Sequence, residues 1–434
     1  MALTTLFIIL VVLIALLVLS VPITYAIGIS ALVAIVQIIP LDVSVFTGAQ
    51  RTFVGTSILS LTAIPFFVLA GNLMNTGGIA KRLVNFVLAI IGKVPGSLMV
   101  ANVGASALFG AISGSGSAAA AAVGSMVKEG QDDLGYEPSM CAATNVAAAP
   151  SGLIIPPSNT IITYSLVSGG TSVAALFLAG YLPGLLWALG CMVVAVIMAK
   201  RKGYTGLAGN FSWEYLLKAT LEALPSLSLI VVVIGGIIGG VFTATEGAAV
   251  CAVYALVLSI CYKSITLASF WKVTIESAKM SAMVIFLVGV SNILGWVMAF
   301  TMIPQAIGEL VLGMTQDPTI IFLLMNAVLL VAGTFIDVTP AILIFTPLFL
   351  PIAQQLGMSP VQFGLILVYN LSIGSITPPV GNTLFVGIKV GKTNLQKIMP
   401  HLMPYYAAIL IGLLLTTYVP FLTMALPQAA GLVK

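Results

Sequence analysis

Hydroxyl and amide oxygens recur beside freed backbone groups at two places in this chain. Residues 147–162 read AAAPSGLIIPPSNTII, and residues 371–386 read LSIGSITPPVGNTLFV. In each, a Pro-Pro pair (Pro156-Pro157 and Pro378-Pro379) removes N–H donors and clashes with the preceding turn, releasing carbonyls inside an apolar segment. Asn159-Thr160 follows the first pair and Asn382-Thr383 the second. An interrupted helix exposes carbonyl dipoles at the end of its first half and N–H groups at the start of its second. Carbonyls suit a cation such as Na⁺, and N–H groups at a positive dipole end suit an anion. Asn159, Thr160, Asn382 and Thr383 add neutral oxygens and amides without burying a charge. Ser113, Ser115 and Ser117 in the run SGSGS offer more oxygens, as does Thr339 in DVTP.

Asp337 is the one acid expected deep in a hairpin. A carboxylate within a membrane marks function by default, here cation coordination or coupling. A capping Asp at the turn Asp337-Val338-Thr339-Pro340 suits the same residues, and the sequence leaves both readings open. Asn72 and Asn292 either support the site or hydrogen-bond between helices. Arg51 reads as an interfacial anchor, and Glu246 as a residue near an interface. His401, the single histidine, reads as structural rather than as a proton relay. Cys141, Cys191, Cys251 and Cys261 lie singly in apolar segments, so buried packing is their default role and neither zinc nor a disulfide framework is suggested.

These residues need a membrane to hold them. Of 434 residues, 60% are hydrophobic and 6% charged, and the mean hydropathy is +1.18. That composition specifies a polytopic all-α membrane protein with no large soluble domain. An outer-membrane barrel is excluded, because its strands alternate instead of running apolar for a whole span. The N-terminal MALTTLFIILVVLIALLVLS reads as a first spanning helix, not a cleaved signal. The net charge of +4 fits an inner-membrane protein. No nucleic-acid motif is present. There is no Walker A sequence, so ATP is not expected to be hydrolysed here. An enzyme is disfavoured too: HExxH is absent, no paired intramembrane aspartates occur, and no serine has a histidine to work with.

The elements that position the chemistry come in pairs. Residues 97–127 are rich in Gly, Ala and Ser and read as a re-entrant hairpin with SGSGS at its tip. A close-packed helix of small residues is the alternative. A broken span follows at 139–168. A second hairpin is expected at 333–350, after a separate span at 319–332, and a second broken span at 361–388. The offset between the Pro-Pro pairs is 378 − 156 = 222. Gly110 and Gly333 lie 333 − 110 = 223 apart, and Asn72 and Asn292 lie 292 − 72 = 220 apart. The chain therefore divides into repeats at 1–212 and 213–434, joined by the polar link before Trp213. Lys81-Arg82, Lys128 and Lys200-Arg201-Lys202 have no basic counterparts in the second repeat, whereas Lys389, Lys392 and Lys397 have none in the first. Opposite charge bias at equivalent loops predicts an inverted repeat, with the first hairpin open to the cytoplasm, the second to the outside, and the N-terminus outside. Interrupted helices at equivalent positions of two repeats point to a secondary-transporter site rather than a channel.

With both hairpins and both breaks assembled, the chain resembles the large membrane (permease) subunit of tripartite ATP-independent periplasmic (TRAP) transporters. The likeness rests on AIPFFVLAGNLM at 63–74, the Ser/Gly hairpin at 106–127, AAAPSGLIIPPSN at 147–159, AGTFIDVTPA at 332–341 and ITPPVGNT at 376–383. It implies a sodium-coupled importer of the bacterial inner membrane that works as an elevator. One sodium site would draw on Ser113, Gly114 and Ser115 with Pro156 and Asn159, the other on Asp337 and Thr339 with Thr377 and Asn382. Ser115, Ser117, Asn159, Thr160, Thr339 and Thr383 would face the substrate. The resemblance also implies a separate small membrane subunit of about four helices and a periplasmic binding protein. The substrate would be an organic acid, of the C4-dicarboxylate or sialic acid type. A stand-alone sodium/dicarboxylate carrier, needing no binding protein, is the alternative.

Overall fold

The computed structural model describes residues 2–76, 78–206 and 213–433. Residues 207–212, where the boundary between repeats was placed, and Gly77 of the turn-like NTGG lie outside them. Every regular element among the described residues is helical. The chain begins with α1 (Ala2–Val18), α2 (Ile23–Val36), α3 (Leu41–Thr56), α4 (Ala63–Thr76) and α5 (Ile79–Ile91). Next come α6 (Ser97–Ser113), α7 (Gly116–Asp133), α8 (Pro138–Ala148), α9 (Ser151–Ile154), α10 (Asn159–Val167) and α11 (Val173–Arg201). The second half opens with α12 (Trp213–Ile238), α13 (Ala244–Cys261), α14 (Leu267–Phe300) and α15 (Ile303–Met314). It closes with α16 (Pro318–Phe335), α17 (Val338–Gln355), α18 (Pro360–Gly374), α19 (Asn382–Gly391), α20 (Leu395–Tyr418) and α21 (Phe421–Ala429). Among the described residues, seven helices are long and apolar enough to cross a membrane, or eight if a bent pair counts as one span. This is a multi-pass membrane protein.

The order α6–α7–α8/α9–break–α10–α11 recurs as α16–α17–α18–break–α19–α20, with matching starts at 338 − 116 = 222 and 395 − 173 = 222. Two elements differ from expectation. The second hairpin is not confined to 333–350: α16, expected as a separate span, is its first arm, and only Ile336-Asp337 separates it from α17. The reason lies in burial. Nearly all of α6 is buried, so it is built from small residues, whereas α16 buries little more than Ile321, Met325, Asn326, Leu329 and Gly333 and keeps an ordinary apolar surface. Likewise, the stretch before Lys279, which its charges make look like a basic connection between spans, is the first half of α14. Its start is fixed by a capping box between Thr266 and Ser269. In the first half, the corresponding pair meets at a bend of 57° around a 3-10 turn at Leu59–Thr62.

Glycine lets the helices of each repeat cross closely. A Cβ built on Gly152 would sit 2.1 Å from the Cα of Gly110, and one on Gly374 would sit 2.3 Å from the carbonyl carbon of Gly333. The same crossing is thus made at equivalent positions. Trp187 of α11 donates its indole N–H to the Ala147 carbonyl at 2.8 Å, satisfying a group in the last turn of α8. On the second repeat, the Tyr406 hydroxyl of α20 donates to the Ile376 carbonyl at 2.6 Å.

Equivalent loops meet different neighbours. Before α8, Glu137 pairs with Lys202 Nζ and His401 Nε2, each at 2.8 Å, joining the end of α11 to the start of α20. The Lys202 ammonium, with the Ser139 hydroxyl and His401, holds the Glu137 carboxyl at about 2. His401 thus contacts the Glu137 carboxylate from the second turn of α20. At the start of α18, the Pro360 carbonyl instead accepts a hydrogen bond from Tyr164 of α10. Cys141, Cys191 and Cys251 are buried as expected, but Cys261, in the last turn of α13, is exposed. Glu246 closes a capping box with Thr243. Arg51 lies over the Trp296 ring, 5.8 Å from its centroid.

Candidate functional site

Four helix N-termini, those of α7, α10, α17 and α19, converge on one cavity of about 370 Å³. Each begins at a hairpin tip or just after a proline break, so its first N–H groups have no partner within the helix itself. The walls carry Gly114, Ser115 and Ser117 from the first tip and Asp337 and Thr339 from the second. Asn159 and Thr160 come from the first break, and Asn382 and Thr383 from the second. These form equivalent pairs: 337 − 115 = 222, 339 − 117 = 222, 382 − 159 = 223 and 383 − 160 = 223. Ile64, Val68, Val284 and Leu287 supply the apolar side.

The first tip is wedged between both breaks. Gly114 has φ +61°, and a Cβ there would come within 3.1 Å of Asn159 Nδ2. The left-handed φ favours glycine there, and the close Asn159 amide adds to the cost of any side chain. A Cβ on Gly116 would lie 3.2 Å from Thr383 Oγ1. Ser115 caps α7, its hydroxyl accepting from the Ala118 N–H at 3.3 Å.

The breaks partly satisfy themselves. The Leu153 carbonyl, released by the proline pair, accepts from Ser158 Oγ at 2.5 Å and from Thr160 Oγ1 at 2.9 Å. Thr160 therefore faces the cavity with its proton already committed to the break or to Ser158. In the second break, the Thr383 N–H donates to the Ser375 carbonyl at 3.0 Å. Asn159 is different: its Oδ1 is buried and has no hydrogen-bond partner among the described residues. An unpaired buried amide oxygen is costly, which makes it a natural ligand for a bound cation or donor.

Asp337 stands at the N-cap position of α17, but its side chain makes no capping hydrogen bond. Asp337 lines the cavity, and no Lys, Arg or His is on the wall. The site thus combines hydroxyl, amide and carboxylate oxygens with helix N-termini, a set suited to a hard cation beside an anion. Among the described residues, no group of three or more His, Cys, Asp or Glu gathers for a transition metal.

Three expected residues stand off the main wall. Ser113 faces an adjoining cavity of about 260 Å³. Pro156 packs behind the break toward Gly180 of α11, and Thr377 commits its hydroxyl to the Ile373 carbonyl at 2.7 Å. Thr163 and Ser375 line the cavity without having been expected. Thr163 sits one turn beyond Asn159 on the same face of α10, a spacing that could have found it. Ser375 precedes the proline pair and carries no such signal. Asn72 serves as an interhelix partner, donating to Ser277 Oγ at 2.9 Å, and it also borders the adjoining cavity.

Comparison with known proteins gives the fold and site a family. The profile "Tripartite ATP-independent periplasmic transporter, DctM component" matches residues 10–422. The chain is 49% identical to the uncharacterized protein YgiK of Salmonella typhimurium, over 94% of each chain. It is 40% identical to the C4-dicarboxylate TRAP transporter large permease protein DctM of Pseudomonas aeruginosa, over 90% of this chain and 91% of that one. Identity to the sialic acid TRAP transporter large permease protein SiaM of Vibrio cholerae is 36%, over 88% and 89% of the two chains. The crystal structure of the YdaH transporter of Alcanivorax borkumensis shares the fold, with a TM-score of 0.64 at 13% identity over 89% of this chain and 90% of that one. On its sequence, its helical breaks and these relatives, the chain belongs to the DctM family, the large permease subunits of TRAP transporters of the inner membrane.

Proposed function

We propose that this subunit imports an organic acid by sodium-coupled secondary transport, moving its hairpins and broken helices as an elevator against the remaining helices. The observation that carries this reading is the single cavity that gathers both tips and both breaks. Four helix N-termini attract an anion there, in the absence of any basic side chain. A carboxylate substrate then needs cations to offset Asp337 and the carbonyl ends of the broken helices. Sodium supplies that charge. Ser113, Gly114, Ser115 and Asn159 would hold one ion and Asp337, Thr339 and Asn382 another, with backbone carbonyls near Pro156 and Thr377. The names of relatives that carry C4-dicarboxylate and sialic acid support a small organic acid as the substrate.

The partners follow from the tripartite family: a small membrane subunit completing the static part, and a periplasmic protein that delivers substrate. The equivalent loops support an inverted arrangement. Glu137 meets the C-terminal end of α11, whereas Pro360 meets Tyr164, which lies 173 − 164 = 9 residues before α11 begins. The 29 residues of α11 span about 43 Å at 1.5 Å per residue, enough to separate two membrane faces. Cysteines placed at 130 and 392 should then react with an impermeant thiol reagent from the cytoplasmic side, and one at 170 from outside. Finding 170 and 392 on the same side would sink the inverted repeat.

The direct test is uptake into proteoliposomes holding this chain and a small subunit, with labelled dicarboxylates and sialic acid. Uptake should require both an inward sodium gradient and binding protein. Uptake with sodium but without binding protein would point to a stand-alone carrier, and sodium-independent uptake would refute the coupling.

A further inference from the structure

The substrate cavity continues into a neighbouring space. The adjoining cavity of about 260 Å³ shares Val68, Ser115, Ser117, Asn159 and Met280 with it and extends along α7 to Ala118 and Ala121. The second repeat has a counterpart of about 360 Å³, lined by Val288, Asn292, Leu343 and Ile58. These match Val68, Asn72, Ala121 and Met280 at 288 − 68 = 220, 292 − 72 = 220, 343 − 121 = 222 and 280 − 58 = 222. The two spaces are therefore the same gap, between a hairpin's second arm and the packed helices, formed once in each repeat. Only the first of them adjoins the substrate cavity. Among the described residues, the second shares no lining residue with it.

The residue types at this gap differ in size. Ala121 stands 121 − 115 = 6 residues beyond the first tip, and Leu343 stands 343 − 337 = 6 beyond the second. Residues 118–122 of α7 are all alanine, whereas 342–344 of α17 read Ile-Leu-Ile. Ala121 is half-buried and lines the adjoining cavity, so a larger side chain there would narrow that space.

We propose that substrate passes between its cavity and the face at the C-terminal end of α7 along a path beside that helix, and that Ala121 sets the width of this path. The proposal deepens the transport reading and rests on it. By the charge of Lys128 and its neighbours, that face is cytoplasmic. Size at 121 then selects what can leave, separately from what the tips bind.

The experiment uses the full chain with its small subunit and Cys261 replaced by Ser. Ala121→Cys is exposed to an impermeant methanethiosulfonate in inverted vesicles and in spheroplasts, with Ser125→Cys, an exposed position one turn further along α7, as the reactive control. Ala121→Cys should react in inverted vesicles and not in spheroplasts. In parallel, sodium-driven uptake is measured for Ala121→Gly, Ala121→Val and Ala121→Leu, with thermal stability in detergent as the check on folding. Uptake should fall stepwise with side-chain volume, by about tenfold or more for Ala121→Leu, a barrier rise of 1.4 kcal/mol, in variants that melt like the parent. Reaction only in spheroplasts, no reaction where Ser125→Cys reacts, or uptake insensitive to volume in folded variants would each overturn the path. Labelling requires no substrate. A chain that takes up no organic acid but labels as expected therefore fails the transport reading and not the geometry.

Discussion

Asp337→Asn should reduce sodium-driven uptake by about a hundredfold, equivalent to losing one charge-assisted interaction of about 2–3 kcal/mol, while insertion and melting temperature stay near the parent's. The expectation follows from the imbalance between half-sites. Ser115 and Asp337 occupy the same place on their tips, as do Ser117 and Thr339, so the cavity is nearly symmetric except for this charge. The helix N-termini around it favour anions and disfavour cations. Neutral oxygens alone offset that poorly, which leaves the carboxylate to make a cation welcome beside the substrate. A capping role would predict something else. Its loss would cost about 1 kcal/mol of stability and Asn would substitute well, but the side chain makes no capping bond to lose. Asp337→Ser is the sharper comparison, because it gives the second tip the residue the first already has. If Asp337→Ser retained parental sodium dependence, the charge would be irrelevant to coupling and the assignment would fail.

Much of this geometry is legible in the sequence because backbone-breaking residues carry it. Pro156-Pro157, Pro378-Pro379 and the SGSGS run interrupt apolar segments where side-chain periodicity has nothing to say, and the helix ends fall at them. The recurring order of elements is legible for the same reason, since glycines and prolines mark its helix ends in both halves. What stays hidden depends on neighbours. The arm α16 reads as an independent span because most of its surface is not buried within this chain. The first half of α14 reads as a loop because Lys272, Glu276 and Lys279 mask a helix that is fixed by its cap and by the hydrogen bond from Asn72 of α4 to Ser277. Ser158 looks like one more candidate ligand until its hydroxyl is seen to close the Leu153 carbonyl. The Glu137–Lys202–His401 cluster joins residues that no local pattern relates.

Gly152 and Gly374, at the two glycine crossings, should not accept an added methyl without cost. Gly152→Ala places a methyl 2.1 Å from the Gly110 Cα, and Gly374→Ala places one 2.3 Å from the Gly333 carbonyl carbon. The obstacle in each case is backbone, which no rotamer change relieves, so the helices must separate. Overpacking of this kind costs about 1–3 kcal/mol or more, and here it also moves the site. The crossing sets how far α9 ends from the first tip, and that spacing holds Gly114 against Asn159. Loss of uptake should therefore accompany a lower melting temperature in both variants. The partners in each crossing are not equivalent. A Cβ on Gly110 would still meet Gly152 at 2.5 Å, but one on Gly333 would find its nearest neighbour at 3.3 Å. Gly333→Ala should accordingly be the mildest of the four. Gly295, in the interior of α14 with nothing within 4 Å of an added Cβ, is the control. Its replacement by Ala should be neutral or stabilising by up to about 1 kcal/mol, the helix-propensity difference. If Gly152→Ala and Gly374→Ala melted and transported like Gly295→Ala, close helix crossing would not be what aligns the tips with the breaks. The spacing of the cavity would then have to be held by the tips alone.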